Sequence, residues 1–353
     1  MTQTSKRLDS IDAAKGIGVL LVIYGHTFRE SMRAAYAWCD FCYIFVYRFH
    51  VPLLFLLSGM GYAFTAQRNR QLSAGQFLRK KARSLLLPWC SYAVLVYAVF
   101  ALAQPLGPVH SLLAGSSYAL VSPMRYAALM LCNENPYSFH LWYLQTLFLF
   151  IAVTGLLDHF LPPQTARRAQ LALLVLTPGG YALFCQRWVW TFKGFFQQYA
   201  YFLAGVLLPR EKAEQHPKVL VCTGVCGVVF LLWELLCLPS TLYAAVPTLF
   251  AVTYVNALAV IEFSLGIWAV CVLLQQHLHR LARFGRSSML FYLYHQPFCC
   301  AVPGMLLYDK LHLPAAAVVV LCAALSLAIP YLIHRVVRLL RLQPVLQWLG
   351  LPG

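Results

Sequence analysis

The sequence predicts an all-α, polytopic integral membrane protein with about ten transmembrane helices. Three observations carry this. Hydrophobic residues make up 61% of the 353 positions and charged residues only 11%, against roughly 25% charged in soluble domains. Apolar runs recur that reach the roughly 20 residues a crossing needs. The 27 Lys and Arg residues also divide unevenly between alternate connections. A chain this apolar cannot hide its hydrophobic surface in a water-soluble core.

The candidate spans are 11–30, 42–66, 82–103, 140–160, 168–185, 195–209, 218–238, 246–274, 286–307 and 315–337. The sixth is short, and the eighth is long enough to be tilted or broken. Nine or eleven spans stay open. With the N-terminus cytoplasmic and ten crossings, 20 of the 27 Lys and Arg residues fall inside and seven outside. That asymmetry obeys the positive-inside rule and favours both termini inside. The net charge of +16 then reads as a topological signal. A nucleic-acid role would need a basic face on a soluble domain, and none is expected. Residues 1–353 read as a single membrane domain with no appended soluble module and no clear internal repeat.

Taken in order, the first span follows LDSID, where Asp9 is placed to cap the helix with Asp12 in its first turn. It has no small-residue cleavage site and reads as a retained helix. Lys15 and His26 are eleven residues apart, close to three helical turns, so they share a face about 16 Å apart along the axis. Gly16, Gly18 and Gly25 keep that helix slim, for tight packing or for a narrow channel. The second span, RFHVPLLFLLSGMGY, carries His50 and Ser58 and is interrupted by Pro52 and Ser58-Gly59. Such interruptions survive where protein or a cavity satisfies the backbone. Between spans two and three lies the most basic segment, with Arg79, Lys80, Lys81 and Arg83. It reads either as anchoring to anionic lipid or as a site for a phosphate-bearing cytosolic ligand.

The loop 104–139 holds the breakers GPVH, GSS, SP and NENP, with MRYAALML as a short helix or lid. A disordered connector is the alternative. His140 opens the fourth span, where Trp142 and Tyr143 look like an interfacial aromatic belt. Glu234 and Arg48, Glu262 near mid-membrane, and His295 in the ninth span complete the ionisable residues in apolar runs. Such residues are costly in a bilayer and default to functional hypotheses. The histidines are not at metal-ligand spacing, so no metal is expected. The 12 cysteines show no CxxC pair and read as small hydrophobes. Cys39 with Cys42, and Cys299 with Cys300, are the pairs a redox or metal role would use.

Several segments resemble the membrane acyltransferase-3 family. DAAKGIGVLLVIYGH is similar to its opening signature of a basic residue, ten residues and a histidine. FHVPLLFLLSG, FLRKKARSLLLPW, SSMLFYLYHQP and the weaker FFQQYAYFLAGVLLP resemble later family segments in the expected order. The resemblance implies ten helices and transfer of an acyl group, most often acetyl from acetyl-CoA, to a hydroxyl of an extracytoplasmic or lipid-linked sugar of a surface polysaccharide. The chain most resembles the stand-alone, sugar-acetylating subgroup. It also implies a bacterial cytoplasmic (inner) membrane protein, multi-pass, with both ends cytoplasmic.

On this reading His26 is the essential histidine, acting as general base or transient acyl carrier, with Ser58 and His295 as its helpers. Lys15, Arg79, Lys80, Lys81 and Arg83 meet the acyl-CoA. His50, His140, Trp142 and Glu262 hold the acceptor. The segment HLWYLQ lacks the glutamate that many members carry after the tryptophan, so no glutamate is assumed to partner the histidine from there. The implied partners are acyl-CoA, a sugar or glycolipid acceptor and membrane lipid, not nucleic acid or metal; a homo-oligomer stays open. The rival readings are a proton-coupled transporter or flippase of lipid-linked glycan, and a degenerate scaffold.

Overall fold

The computed structural model describes residues 3–107, 119–184, 190–237 and 246–340. GSS, most of GPVH, Arg187 and Arg341 lie outside the described residues. The chain is all-helical, with no strand among the described residues. The long elements are α1 (Gln3–His26), α3 (Ala37–Arg70) and α4 (Ala74–Ala103), with the short α2 (Glu30–Ala35) joining the first two. Then come α5 (Pro123–Leu131), α6 (Trp142–Phe160), α7 (Pro163–Phe184), α8 (Trp190–Leu207), α9 (Arg210–Gln215), α10 (Pro217–Cys237) and α11 (Val246–Leu273). The C-terminal part holds α12 (His279–Arg286), α13 (Ser288–Tyr294), α14 (Ala301–Gly304), a π-helical turn at Met305–Lys310, and α15 (Ala315–Leu339).

Among the described residues, six helices are long and apolar enough to cross a membrane: Ala37–Arg70, Ala74–Ala103, Phe139–Phe160, Pro217–Cys237, Ala251–Leu273 and Ala315–Leu339. The expected spans at 11–30, 168–185 and 195–209 are largely helical too, overlapping α1, α7 and α8 but for 27–30 and 208–209, with residue 185 outside the described residues, and these helices are less apolar. For α1 the reason is its position. It packs on α3, α11, α12, α13 and α15, so protein rather than lipid surrounds much of it.

The expected ninth span, 286–307, is not one helix. α13 ends at Tyr294, residues 295–300 form turns, and α14 and the π-turn follow. Pro297 is the local cause. It has no N–H to donate to the carbonyl four residues back. Arg29 braces the far end of this broken segment, pairing with Asp309 at 2.7 Å and donating to Ala301 O at 3.0 Å.

Asp9 does not cap α1, because the helix begins earlier, at Gln3. Asp9 instead pairs with Arg286 of α12 at 2.7 Å. Nearby, a Cβ on Gly285 would lie 1.7 Å from Asp12 O, so α1 and α12 touch backbone to backbone. The glycines of α1 also serve packing. Added Cβ atoms would meet Leu281 from Gly16, Leu54 from Gly18 and Tyr47 from Gly25, at 2.9, 2.6 and 3.1 Å.

The described part of the long loop is tied down. MRYAALML lies within α5, which Ser122 caps by accepting from Arg125 N. Asn135 accepts from the N–H groups of Tyr137 and Ser138 at 2.9 and 3.0 Å and donates to the Tyr126 hydroxyl at 3.0 Å. Tyr126 donates to Ala93 O of α4 at 2.9 Å, and Tyr137 to Ala119 O at 2.9 Å. Asn135→Ala would strand two buried N–H groups, each costing about 1–3 kcal/mol. We expect faster proteolysis between residues 119 and 138 with the far-UV circular dichroism unchanged.

Candidate active site

Three histidines far apart in sequence meet in the interior. The His26 and His295 rings are 5.0 Å apart and the His140 and His295 rings 4.9 Å. His295 is fully buried and His140 nearly so. His26 comes from the end of α1, His140 from the 3-10 turn Phe139–Leu141 before α6, and His295 from the residue after α13. His50, one turn along α3 from Val46, is close by: Tyr47 lies between it and His26, with ring separations of 4.7 and 5.7 Å.

Backbone carbonyls orient the rings. His295 Nδ1 lies 2.7 Å from Tyr292 O, and His140 Nε2 lies 3.1 Å from Leu293 O. A carbonyl only accepts, so these nitrogens carry the protons. That leaves His295 Nε2 and His140 Nδ1 as the lone-pair nitrogens, and neither has a partner. By the same logic His50 is protonated on Nδ1, 2.7 Å from Val46 O. The carbonyls come free through the break after α13. In a continuous helix Leu293 O would accept from residue 297, but that residue is proline, and His140 takes the vacancy. Tyr92 of α4 holds the turn itself, donating to Gln296 O at 2.5 Å.

Tyrosines complete the cluster. The Tyr47 hydroxyl is 3.2 Å from His26 Nδ1, and the bare Gly25 lets its ring approach. Tyr292 donates to the backbone carbonyl of His140. Tyr143 packs on Tyr292 at 5.3 Å and on Phe55 at 4.5 Å, with its hydroxyl 3.1 Å from Ser58 Oγ. Tyr143 is therefore an interior residue, 8% exposed, and not part of an interfacial belt. Sequence reasoning missed Tyr47 and Tyr292. Each stands three residues before a histidine on one helical stretch, a spacing that puts both on one face.

A cavity of about 180 Å³ is lined by Lys15, Val19, Ser58, Tyr143, Ser288 and Tyr292; it adjoins the cluster through its tyrosines, and no histidine lines it. Lys15 and Val19 lie on the α1 face that ends at His26. The Lys15 ammonium is 3.8 Å from Asp12 and runs beside Gly61 of α3, 4.0 Å from where a Cβ would stand.

The other expected site residues are placed as follows. Arg79, Lys80 and Arg83 are exposed on the first turns of α4, while Lys81 is half-buried with its ammonium 6.0 Å from the Phe77 ring. α4 starts with a capping box of Ser73 and Gln76. Trp142 lies 6.1 Å from Phe55, ring to ring, beside Gly194 of α8. Glu262 is apart from the histidines. Its backbone and Cβ lie against Gly224 and Gly227 in the contact of α10 with α11. Cys299 donates to Tyr294 O at 3.1 Å, and Cys300 is 3.1 Å from Ser326 Oγ. Among the described residues no group of three or more His, Cys, Asp or Glu could hold a metal ion.

The arrangement offers two buried imidazole nitrogens with open lone pairs, a tyrosine on the neighbouring His26, and an adjoining cavity lined by a cation. That is equipment for moving a proton to or from a reacting hydroxyl, or for accepting a group on nitrogen. A family model described as an acyltransferase domain, that of the acyltransferase-3 family, matches residues 8–335. No curated protein and no solved structure matches the chain.

Proposed function

The chain belongs to the acyltransferase-3 family, and from that premise we propose that this multi-pass membrane acyltransferase moves an acetyl group from cytosolic acetyl-CoA to a sugar hydroxyl. The acceptor is an extracytoplasmic or lipid-linked sugar of a surface polysaccharide. The topology that fits is ten crossings of a bacterial inner membrane with both ends cytoplasmic, one crossing being the broken segment around His295. One observation carries the reading: the rings of His26, His140 and His295 gather in one cluster, joined through Tyr292, which bonds the carbonyl of His140, to a cavity that the Lys15 cation also lines. A long, thin donor with an anionic head and a thioester tip has that shape.

In this mechanism the phosphates of the donor meet Arg79, Lys80, Lys81 and Arg83, with Lys15 at the mouth. The N-terminal end of α4 adds its dipole. The pantetheine arm threads past Val19 and Ser58. At the cluster His26 takes the proton of the acceptor hydroxyl as it attacks the thioester carbonyl, and the CoA thiolate leaves. In the variant route His26 carries the acetyl group between the two. His295 orients His26, and Tyr47 holds its Nδ1. His50, His140 and Trp142 stand on the acceptor side. Glu262, placed between α10 and α11, acts on the acceptor through helix position.

Purified protein in nanodiscs, given radiolabelled acetyl-CoA and glycan from a strain lacking the protein, tests the reading. Acetylated glycan is expected, and absence of any acetyl-CoA binding would sink it. Replacing Arg79, Lys80 and Arg83 together by Gln removes three charge-assisted contacts of the kind worth about 1.5–3 kcal/mol each when well formed. We expect KM for acetyl-CoA to rise at least about ten-fold with kcat little changed, and the difference to shrink at high salt.

A further inference from the structure

A second cavity shares Tyr47 with the histidine cluster. It holds about 390 Å³ between α3, α7, α8, α10 and α11, within the roughly 300–1,000 Å³ of small-ligand pockets. Tyr47, Arg48, Gln197, Gln198 and Asn256 bring polar groups to its wall. We propose that this cavity is the acceptor subsite, and that it selects an uncharged, hydroxyl-rich ring over a carboxylated one. The inference rests on the acyltransferase reading of the same site.

Position argues first. Tyr47 lines this cavity and its hydroxyl also touches His26. The donor cavity reaches the cluster through Tyr292, which bonds the carbonyl of His140. The two cavities thus meet the histidines through different tyrosines. The second is built from the first half of α3, the first half of α11 and the last third of α7. In the proposed topology those parts lie toward the outer side, where the acceptor arrives.

Unsatisfied polar atoms argue next. Gln198 Oε1, Asn256 Oδ1 and Arg48 Nε are shielded from solvent and have no partner, and Gln198 is 7% exposed. Buried polar atoms without partners are uncommon and costly. Two acceptors and a donor on one cavity suit hydroxyls, which both give and receive hydrogen bonds.

Charge sets the selectivity. Arg48 is the only charged side chain among the described residues that line the cavity. Its guanidinium is already compensated: Nη1 lies 2.5 Å from Glu234 Oε2, whose other oxygen accepts from Asn256 at 2.7 Å. The Glu234 side chain is fully buried. A carboxylated ring entering here would meet a cation already spent and an anion behind it, and desolvating its charge would go uncompensated. A neutral ring meets amides and a phenol.

The test uses wild-type protein in phosphatidylethanolamine–phosphatidylglycerol nanodiscs with radiolabelled acetyl-CoA. The probes are methyl glycosides of neutral hexoses and deoxyhexoses beside methyl glycosides of the matching hexuronic acids. We expect kcat/KM for the neutral glycosides to exceed that for the uronides at least about ten-fold. Gln198→Leu should raise the neutral-glycoside KM about ten-fold, the equivalent of one or two lost hydrogen bonds. Ala257→Phe, which fills the cavity while leaving every polar side chain of its wall in the sequence, should do at least as much.

Glu234→Gln keeps an amide for Asn256 but frees the charge of Arg48, and should narrow or reverse the preference against uronides. Acetyl-CoA binding is measured in parallel on every variant. If the wild type does not bind acetyl-CoA, the acyltransferase reading fails and takes this inference with it. If it binds acetyl-CoA but acetylates no glycoside, prefers uronides, or keeps its acceptor KM in both Gln198→Leu and Ala257→Phe, the inference alone is overturned.

Discussion

His26→Ala should abolish acetyl transfer, by about 10²–10⁴-fold if the imidazole is a general acid–base group, and to background if it carries the acetyl group. The fold should survive, because His26 ends α1 and its one close polar contact is the Tyr47 hydroxyl. Circular dichroism and melting of the purified variant check that. Labelled acetyl-CoA transfer checks the loss, and full activity in the variant would refute the assignment.

His295 sharpens the experiment. Its Nδ1 is committed to Tyr292 O, its Nε2 is open, and its ring lies between those of His26 and His140. If His26 and His295 act as one unit, each alanine variant should lose about as much as the double variant. Losses that multiply would mean separate roles.

The largest effect on folding should come from the crossing of α3 with α8. A Cβ on Gly59 would stand 2.0 Å from Phe202 O, and a Cβ on Gly205 would stand 2.0 Å from Leu56 O. The two helices therefore meet through reciprocal glycines, with carbonyls where side chains would be. Even one methyl group needs a carbon–oxygen distance beyond about 3.3 Å, so the helices must part by more than 1 Å. Gly59→Ala and Gly205→Ala should each destabilise by about 1–3 kcal/mol or more, read as a lower melting temperature in detergent. The pair should cost less than the sum, because the first methyl already separates the helices. Gly75→Ala, with open space around it, is the matched control and should change little.

Those glycines also show what the sequence could and could not disclose. Ser58-Gly59 and the Phe202–Gly205 stretch read as two separate, weak family segments. In three dimensions they are the two sides of one contact, which no single-segment reading can reveal. The histidines were legible for an energetic reason: ionisable groups in apolar runs must be used or paired. That logic singled out His26, His50, His140 and His295, and the structure brings three of them within touching distance with the fourth beside Tyr47. It also singled out Glu262, whose neighbours prove to be the glycines of α10.

The reading was blind where apolar composition masks shape. SSMLFYLYHQPFCC is apolar enough to pass as a span although its proline breaks the helix. Tyr143 looks like an anchor until Ser58 and Tyr292 are seen around it. Asp9 suits a cap by residue type, but where a helix starts is also set by what packs on it, and Arg286 claims the carboxylate.

The break after α13 has a further consequence, in the electrostatics of the resting enzyme. Histidines in active sites are often held by a carboxylate, which fixes the tautomer but leaves a net charge to be solvated. Here two rings are fixed by main-chain oxygens that a proline and a turn have released. The tautomers are set in advance, and no formal charge is spent in setting them. In a medium of low polarity an isolated ion is the most expensive thing to store. A cluster tuned by peptide dipoles can wait empty at little electrostatic cost and meet charge only when the reaction creates it.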